Sequence, residues 1–332
     1  MAIRSDKRIE KRMSNQCRIC NNSLNNETII IREMQFGTRE NFTYFKCSYC
    51  GCLQISEPPE EISKYYPHEK YYSYQEVKHK NNWYSKIKKN IKPILFDIYI
   101  NTKHTFFLKK LPYIRTLDDF KWLKILIQQK VIRREFAILD VGCGTGHLLQ
   151  EMSIWKFNNL TGIDPFIEKD IIYPSGVRVL KQYIFNVTDM YDLIMMHHSF
   201  EHMDNPHLVF KQLYKMLNPN GCLLIRIPVS DSFAYRKYGN NWFQIDAPRH
   251  FFLHTTRSMI YLSKDAGFVL KQIVYDSTEA QFLYSEKYCR DISLFESLDF
   301  SSKYIKSCKK QAKILNQMLD GDQACFIFEK KE

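Results

Sequence analysis

The sequence contains no apolar run that approaches the ~18–20 residues needed to cross a bilayer. Its first fifteen residues are polar and charged, and they lack the apolar core of a secretory signal. These two absences predict a soluble, cytoplasmic protein. Because that compartment is reducing, we expect the ten cysteines to be free thiols or metal ligands and not a disulfide scaffold.

A dinucleotide-type loop of the pattern G-x-G-x-x-G is also missing. The chain instead carries G-x-G-x-G in Gly142, Gly144 and Gly146, after a short apolar strand predicted over 136–141 and before a predicted helix. Glycines there let a ligand lie against the backbone, and the helix start directs free N–H groups toward it. Asp140 comes near the end of this strand, where a carboxylate can face an ammonium group.

A second predicted strand, over 160–163, also runs into an acid, Asp164, at the place where a doubly wound sheet binds ribose hydroxyls. LDVGCGTG followed by GIDP resembles the first two motifs of the class I S-adenosylmethionine-dependent methyltransferases. The resemblance implies an α/β, Rossmann-like domain with a seven-stranded, mostly parallel sheet. The residues it assigns to the cofactor are Asp140, Gly142, Cys143, Gly144, Gly146, Asp164, Pro165 and His197.

Two C-x-x-C pairs stand near the N-terminus, separated by a stretch over 28–45 that is predicted to form a short hairpin. This spacing is typical of a zinc ribbon, in which four thiolates hold one structural Zn²⁺. A module this small buries little apolar surface, so the ion would supply much of its stability. Cys52 remains a spare or alternative ligand. The predicted ligands are Cys17, Cys20, Cys47 and Cys50.

A tyrosine-rich segment over 62–74 and a basic, aromatic region over 78–134 follow the ribbon. The tyrosine pairs at 65–66 and 71–72 are expected to pack between modules, with contact between one hydroxyl and the substrate as the alternative. The basic region has helical periodicity, and its apolar face is expected to be covered as a helical insertion. Docking of this face on an anionic membrane is the alternative. The face is made of Ile91, Ile94, Leu95, Ile98 and Tyr99.

These motifs together predict four segments. They are a basic tail over 1–15, a zinc ribbon over 16–60, a connecting region over 61–134 and a methyltransferase domain over 135–332. Within the last segment, we expect a fourth strand at 191–196, a turn at 217–221, a fifth strand at 222–227 and a seventh strand at 323–329. A second helical insertion is expected at about 282–320.

Histidines are concentrated where methyl transfer would need a proton acceptor. His197 and His198 follow the predicted fourth strand, and His202 lies one helical turn later. The H-x-x-x-E-H element and the D-x-P-R-H-F-F loop, with the ribbon, resemble nucleotide-sugar C-methyltransferases that carry a zinc module. That resemblance implies His250 as base, with His202, Glu201 and His198 assisting. Arg249 stands where that family has an acid, so O-methylation of a sugar or another small acceptor remains open.

The net charge of +12 is compatible with nucleic acid, an anionic membrane surface or a negatively charged small substrate. The sequence shows no recognisable basic-aromatic RNA-binding module, so we expect a small anionic acceptor, such as a nucleotide-linked sugar or glycan precursor. Arg249 would then meet its diphosphate. An RNA methyltransferase and a non-catalytic adenosylmethionine-binding scaffold are the alternatives. The oligomeric state is not indicated.

Overall fold

The computed structural model describes residues 15–66, 83–102, 112–117 and 120–330. Most of the predicted tail and the second tyrosine pair lie outside these ranges, and the segment boundaries proposed above stay predictions. The chain forms two compact units. The cysteine unit comprises Met1–Pro67, His198–Phe210 and Arg226–Phe326, and the glycine-loop unit comprises His68–His197, Lys211–Ile225 and Ile327–Glu332.

The described residues form twelve strands and nine α-helices. The strands are β1 (Glu27–Arg32), β2 (Asn41–Lys46), β3 (Leu53–Ile55), β4 (Ala137–Val141), β5 (Asn159–Ile163), β6 (Ile171–Ile172), β7 (Arg178–Leu180), β8 (Tyr191–His197), β9 (Leu217–Pro228), β10 (Phe252–Leu253), β11 (Phe268–Tyr275) and β12 (Gln323–Lys330). The helices are α1 (Trp83–Asn101), α2 (Pro112–Leu117), α3 (Lys121–Gln128), α4 (His147–Ile154), α5 (Pro206–Met216), α6 (Phe233–Tyr238), α7 (Thr256–Ala266), α8 (Ala280–Cys289) and α9 (Ser302–Gln317).

A four-stranded antiparallel sheet organises the N-terminal part of the cysteine unit, in the order β1-β2-β3-β10. Strand β10 comes from far along the chain and pairs with β3, with Phe252 opposite Gln54. Helix α7 follows it, begins at a capping box between Thr255 and Ser258, and ends at Gly267 with φ +90°. Helix α7 therefore has a defined first and last turn, which keep it within the segment between β10 and β11.

Parallel strands form the centre of the glycine-loop unit. Strand β4 pairs in parallel with β5 and β8, and β5 pairs in parallel with β7. The full strand order is β11-β12-β9-β8-β4-β5-β7-β6, in which β9 and β12 each run from one unit into the other. Among the described residues this sheet has eight strands, whereas seven were predicted. The additional one is the two-residue β6, which pairs antiparallel with β7.

We predicted that the apolar face of the basic helical region is buried, and this prediction is wrong for three of its residues. In α1, Ile91, Ile94 and Ile98 are exposed, whereas Phe96 is buried and stacks on Trp155 with ring centroids 4.5 Å apart. The aromatic contact decides which side of α1 is buried, because a stacked pair removes more apolar surface than an isoleucine. No helix within the described ranges combines the length and apolarity that a membrane crossing requires.

The predicted turn at 217–221 is instead the beginning of strand β9. The turn-forming residues change the backbone only locally: Asn220 has φ +61° inside the strand. A single left-handed residue bends a strand without ending it, and asparagine tolerates that conformation better than most residues. The predicted fifth strand at 222–227 is the second half of the same element.

Candidate functional site

Four cysteine thiols converge at the start of the cysteine unit. Cys17 Sγ lies 3.5 Å from Cys50 Sγ, and Cys20 Sγ lies 3.5 Å from Cys47 Sγ. All four sulfur atoms lie within 4.8 Å of one another. Thiolates at about 2.3 Å from a tetrahedral zinc ion would be about 3.8 Å apart. The arrangement therefore fits the four-thiolate set that the sequence predicted.

Hydrogen-bond donors surround these sulfur atoms. The Gln54 side chain donates to Cys17 Sγ at 2.9 Å, and the backbone N–H of Ile19 donates to the same atom at 3.4 Å. The hydrogen bond with Cys50 lowers the pKa of the Cys17 thiol. Cys52 is fully buried but points to the carbonyl of Leu53 and is not part of the cluster. The spare-ligand role considered for Cys52 is therefore not supported by its position.

The glycine loop has the backbone conformation that its sequence indicated. Gly142, Gly144 and Gly146 have φ values of +77°, +55° and +80°. A Cβ on Gly146 would lie 2.6 Å from Val179 Cγ2, so both backbone conformation and space require glycine at this position. Helix α4 begins immediately after the loop. The loop thus brings the helix start and bare backbone to the carboxyl end of β4.

Two buried carboxylates flank this loop at the ends of adjacent parallel strands. Asp140 lies in β4, opposite Gly162 of β5, and Asp164 follows β5 directly. Asp164 already accepts hydrogen bonds from the N–H groups of Gly144 and Phe166, each at 2.9 Å. Burial, followed by repulsion from Asp164, raises the pKa of Asp140 to about 7. A cation placed between the carboxylates would relieve that repulsion.

The remaining predicted cofactor residues surround the same strand ends. The Cys143 side chain packs against Gly162, where a Cβ would collide with its sulfur. Pro165 is partly buried in the turn after Asp164. His197 ends β8, and its ring lies 4.9 Å from that of Trp122 in α3. Trp122 was not predicted as a site residue from the sequence, because only the tertiary fold brings it next to His197.

A carboxylate and two imidazoles meet in the cysteine unit. Glu201, His202 and His250 each contribute one potential ligand atom, and these atoms lie within 4.8 Å of one another. His250 Nε2 lies 3.9 Å from Glu201 Oε1 and 3.8 Å from Asp246 Oδ2. Burial raises the pKa of Glu201, but the nearby histidines outweigh it, led by His198, and lower the pKa to about 2. Burial lowers the pKa of His202.

Backbone carbonyls fix the protonation of the two rings. His202 Nδ1 lies 2.8 Å from the Arg249 carbonyl, and His250 Nδ1 lies 2.8 Å from the Gln244 carbonyl. A carbonyl only accepts hydrogen bonds, so each Nδ1 must carry its proton. In the neutral rings Nε2 then has a lone pair. Tyr66 also contacts His202, with its hydroxyl 3.1 Å from Nδ1.

His198 lies at the edge of this group. Its Nδ1 is 3.3 Å from Glu201 Oε1, and its Nε2 is 2.9 Å from the Arg226 guanidinium. His198 has φ +51°, a conformation that costs free energy in a residue other than glycine. All four residues predicted to be catalytic therefore lie together, although their roles stay predictions.

The expectation that Arg249 meets a substrate diphosphate is wrong. Its side chain is fully buried, and its guanidinium pairs with Asp246 and with Glu33, the latter at 3.1 Å. The Tyr65 carbonyl accepts a further hydrogen bond from it at 3.1 Å. With its donors directed at these protein oxygens, Arg249 holds the loop and is unavailable to a ligand.

Sequence reasoning missed Asp246 and Glu33. Asp246 had a signal, because it stands three residues before Arg249 and four before His250, the spacing of a helical turn. Glu33 had none, because 216 positions separate it from Arg249. The last histidine of the loop, His254, is a core residue that stacks between Phe200 and Phe252.

Residues 114–273 match the family model described as a methyltransferase domain. The chain is also similar to malonyl-(acyl-carrier protein) O-methyltransferase of Priestia megaterium, with 30% identity over 33% of this chain and 40% of that protein. It is 28% identical to (S)-coclaurine N-methyltransferase of Thalictrum flavum, over 36% of this chain and 37% of that protein. The chain thus spans less than half the length of either relative.

Among solved structures, an adenosylmethionine-dependent methyltransferase from Archaeoglobus fulgidus aligns with 69% of this chain and 100% of its own. The two are 18% identical, and the TM-score is 0.41. The family match covers the glycine loop, both flanking carboxylates and the histidine group. Over residues 114–273, this chain is similar to the methyltransferase-domain family.

Proposed function

We propose that the chain is an S-adenosylmethionine-dependent methyltransferase that binds the cofactor in its glycine-loop unit. One observation carries the proposal: buried Asp140 and Asp164 flank three left-handed glycines within a matched methyltransferase domain. The raised pKa of Asp140 indicates a place that favours a cation, which the ammonium group of the cofactor's methionine would satisfy. When bound, the cofactor supplies an electrophilic methyl group on a sulfonium.

Each cofactor residue has a defined task in this proposal. Asp140 pairs with the ammonium group. Asp164 accepts hydrogen bonds from the ribose, since its carboxylate follows β5 beside the loop and is an acceptor-only group. The glycines leave room for the ligand, with Cys143, Pro165 and His197 around it.

The acceptor is a small molecule with a nucleophilic atom, and we favour a nucleotide-linked or surface-polysaccharide sugar. His250 is the proposed proton acceptor, because its fixed Nδ1–H leaves Nε2 with a lone pair. Glu201 would stabilise the imidazolium that results, with His202 and His198 assisting.

The four-thiolate cluster has a structural role in this proposal. Zn²⁺ held by Cys17, Cys20, Cys47 and Cys50 would fix the chain reversal that leads into β3. Since β3 pairs with β10, which begins two residues after His250, the ion would also support the loop that presents this histidine.

Calorimetric titration with S-adenosylhomocysteine tests the cofactor site. The wild-type chain should bind it, and Asp164→Ala should bind at least about 100-fold more weakly, because two hydrogen bonds to a charged group disappear from the loop. Asp170→Ala is the matched control, since Asp170 bonds the Lys181 N–H in the same unit. Folded, zinc-containing protein that fails to bind would contradict the proposal.

Methyl transfer to defined acceptors tests the substrate class. Nucleotide-linked sugars should become methylated, and His250→Gln should lower the rate by about 10²–10⁴-fold while cofactor binding persists. Methylation of RNA transcripts but of no sugar would favour the RNA alternative. Cofactor binding without transfer to any acceptor would favour the scaffold.

A further inference from the structure

Glu201 is a carboxylate in the interior of the cysteine unit. Its side chain is fully buried, and among the described residues neither oxygen has a partner in hydrogen-bond geometry. Oε1 lies 3.3 Å from His198 Nδ1 and 3.9 Å from His250 Nε2. Burying a carboxylate in this state is costly unless a cation or a set of donors compensates it.

The two neighbouring rings present lone pairs and not protons. Because His202 and His250 each donate Nδ1–H to a backbone carbonyl, their neutral Nε2 atoms cannot donate to Glu201. A metal-binding histidine almost always donates its other ring N–H to a carboxylate, a backbone carbonyl or water, and an Nδ1–H bond to a carbonyl is one of these arrangements. The close donor to the Glu201 carboxylate is His198 Nδ1, at 3.3 Å, and the carboxylate and the lone pairs of the other two rings can each bind a metal ion.

The charges around the group lead to the same conclusion. Glu201, Asp246 and Glu33 are buried or nearly so, and Arg249 is the guanidinium that pairs with the last two. The other guanidinium near the group, that of Arg226, is neutralised by Asp276 at 2.5 Å. Three carboxylates against one guanidinium leave an excess of two negative charges. A divalent cation would cancel this excess.

We propose that Glu201, His202 and His250 bind a divalent first-row transition metal ion. Two histidines and one carboxylate leave coordination positions open for water or for an acceptor oxygen. Around an ion with ligands at about 2.0–2.1 Å, tetrahedral neighbours are about 3.4 Å apart. The three ligand atoms lie within 4.8 Å of one another, and His250 Nε2 and Glu201 Oε1, at 3.9 Å, would need to approach by about 0.5 Å.

This inference deepens the proposed function at the same site, and only its consequence for the acceptor rests on that function. With an ion bound, His250 would be a ligand, and this would replace the proton-acceptor role proposed for it above. The ion would instead hold and acidify an acceptor oxygen, whose proton would pass to water. The acceptor would accordingly be one that offers an oxygen donor. Metal binding itself requires neither cofactor nor acceptor.

Titration of the zinc-loaded full chain with Co²⁺ tests the site. We expect one Co²⁺ per chain beyond the zinc, with an absorption spectrum that lacks thiolate charge-transfer bands because the cysteines keep their ion. Two hyperfine-shifted imidazole N–H proton signals are expected, one from each Nδ1–H. Glu201→Gln and His250→Gln should each weaken Co²⁺ binding at least about 100-fold. Glu279→Gln, which removes a carboxylate that pairs with Lys309, should have no effect.

Zinc content and S-adenosylhomocysteine binding show whether each variant is folded. Zinc-loaded wild-type protein that takes up no Co²⁺ would overturn the proposal, as would equal uptake by Glu201→Gln. Spectra with thiolate charge transfer would also overturn it, because they would place the cobalt at the cysteines. Cobalt uptake without methyl transfer would leave the metal site standing and remove only the proposed activity.

Discussion

Asp140 and Glu201 are both buried carboxylates, yet their environments affect their pKa values in opposite directions. Burial and Asp164 raise the pKa of Asp140 to about 7, whereas the histidines around Glu201 overcome burial and lower its pKa to about 2. Loss of solvent acts on both groups in the same sense, so the neighbours decide the outcome. The glycine-loop unit thus places acid beside acid, and the cysteine unit places acid beside imidazole.

This difference separates two ways of preparing a binding site. Beside Asp164, Asp140 favours a ligand that brings positive charge. Beside the imidazoles, Glu201 is already ionised, and Glu201, His202 and His250 each offer one potential metal-ligand atom. Changes that alter one environment while sparing the other show whether the comparison is right.

The largest effect is expected when one cysteine of the four-thiolate cluster is replaced. Cys47→Ser should abolish zinc binding and destabilise the cysteine unit by several kcal/mol, because the ion supplies folding free energy to a small module. Cys52→Ser is the control, since Cys52 is equally buried but lies outside the cluster. Zinc analysis and thermal unfolding measure both effects. Loss of zinc from Cys52→Ser would show that the ligand set is wrong.

A smaller effect is expected when the glycine loop is altered without touching either carboxylate. Gly146→Ala should destabilise the chain by about 2–4 kcal/mol, since it combines a left-handed conformation with overpacking against Val179. Gly176→Ala has a similar φ of +87° but open space, so it should cost only about 1–2 kcal/mol. Denaturant unfolding compares the two variants. Equal losses would mean that packing at the loop contributes nothing.

The smallest effect concerns pH. Below about pH 7 the free protein holds a proton on Asp140 that an ammonium ligand must displace. The affinity for S-adenosylhomocysteine should therefore fall by roughly tenfold per pH unit below 7 and be constant above it. Asp140→Asn should bind weakly at every pH, whereas Asp170→Asn should keep the wild-type profile. A wild-type affinity that does not change between pH 6 and 8 would refute this view of Asp140.

Protonation of Asp140 affects the stability of the free protein in the opposite direction. The affinity for S-adenosylhomocysteine should fall as the pH is lowered, whereas the stability should fall as the pH is raised. The folded pKa of Asp140 lies above the unfolded value of about 4, so between these values the folded state binds more protons. This contribution to the free energy of unfolding is complete at low pH and is lost as the pH rises through about 7. Denaturant unfolding across that range, with and without S-adenosylhomocysteine, should separate the two trends.

The glycine loop and the cysteine pairs could be read from the sequence because their chemistry lies in consecutive residues. Asp140 to Gly146 specify strand, turn and helix start within seven positions, and each C-x-x-C pair is local. The buried pair of Glu33 and Arg249 could not be read, because 216 positions separate the residues. The face of α1 was also missed, since its contact with Trp155 depends on tertiary packing and not on the helical period.

The four-stranded sheet of the cysteine unit sets an order of events during synthesis. Leu53 of β3 pairs with Leu253 of β10, 200 positions later. The ribosome must therefore add these 200 residues before β3 receives its last partner, and until then the strand has an open edge. Such an edge is a site of wrong pairing with other chains. Early capture of zinc by the two cysteine pairs would shorten the time during which the nascent chain has no ordered structure.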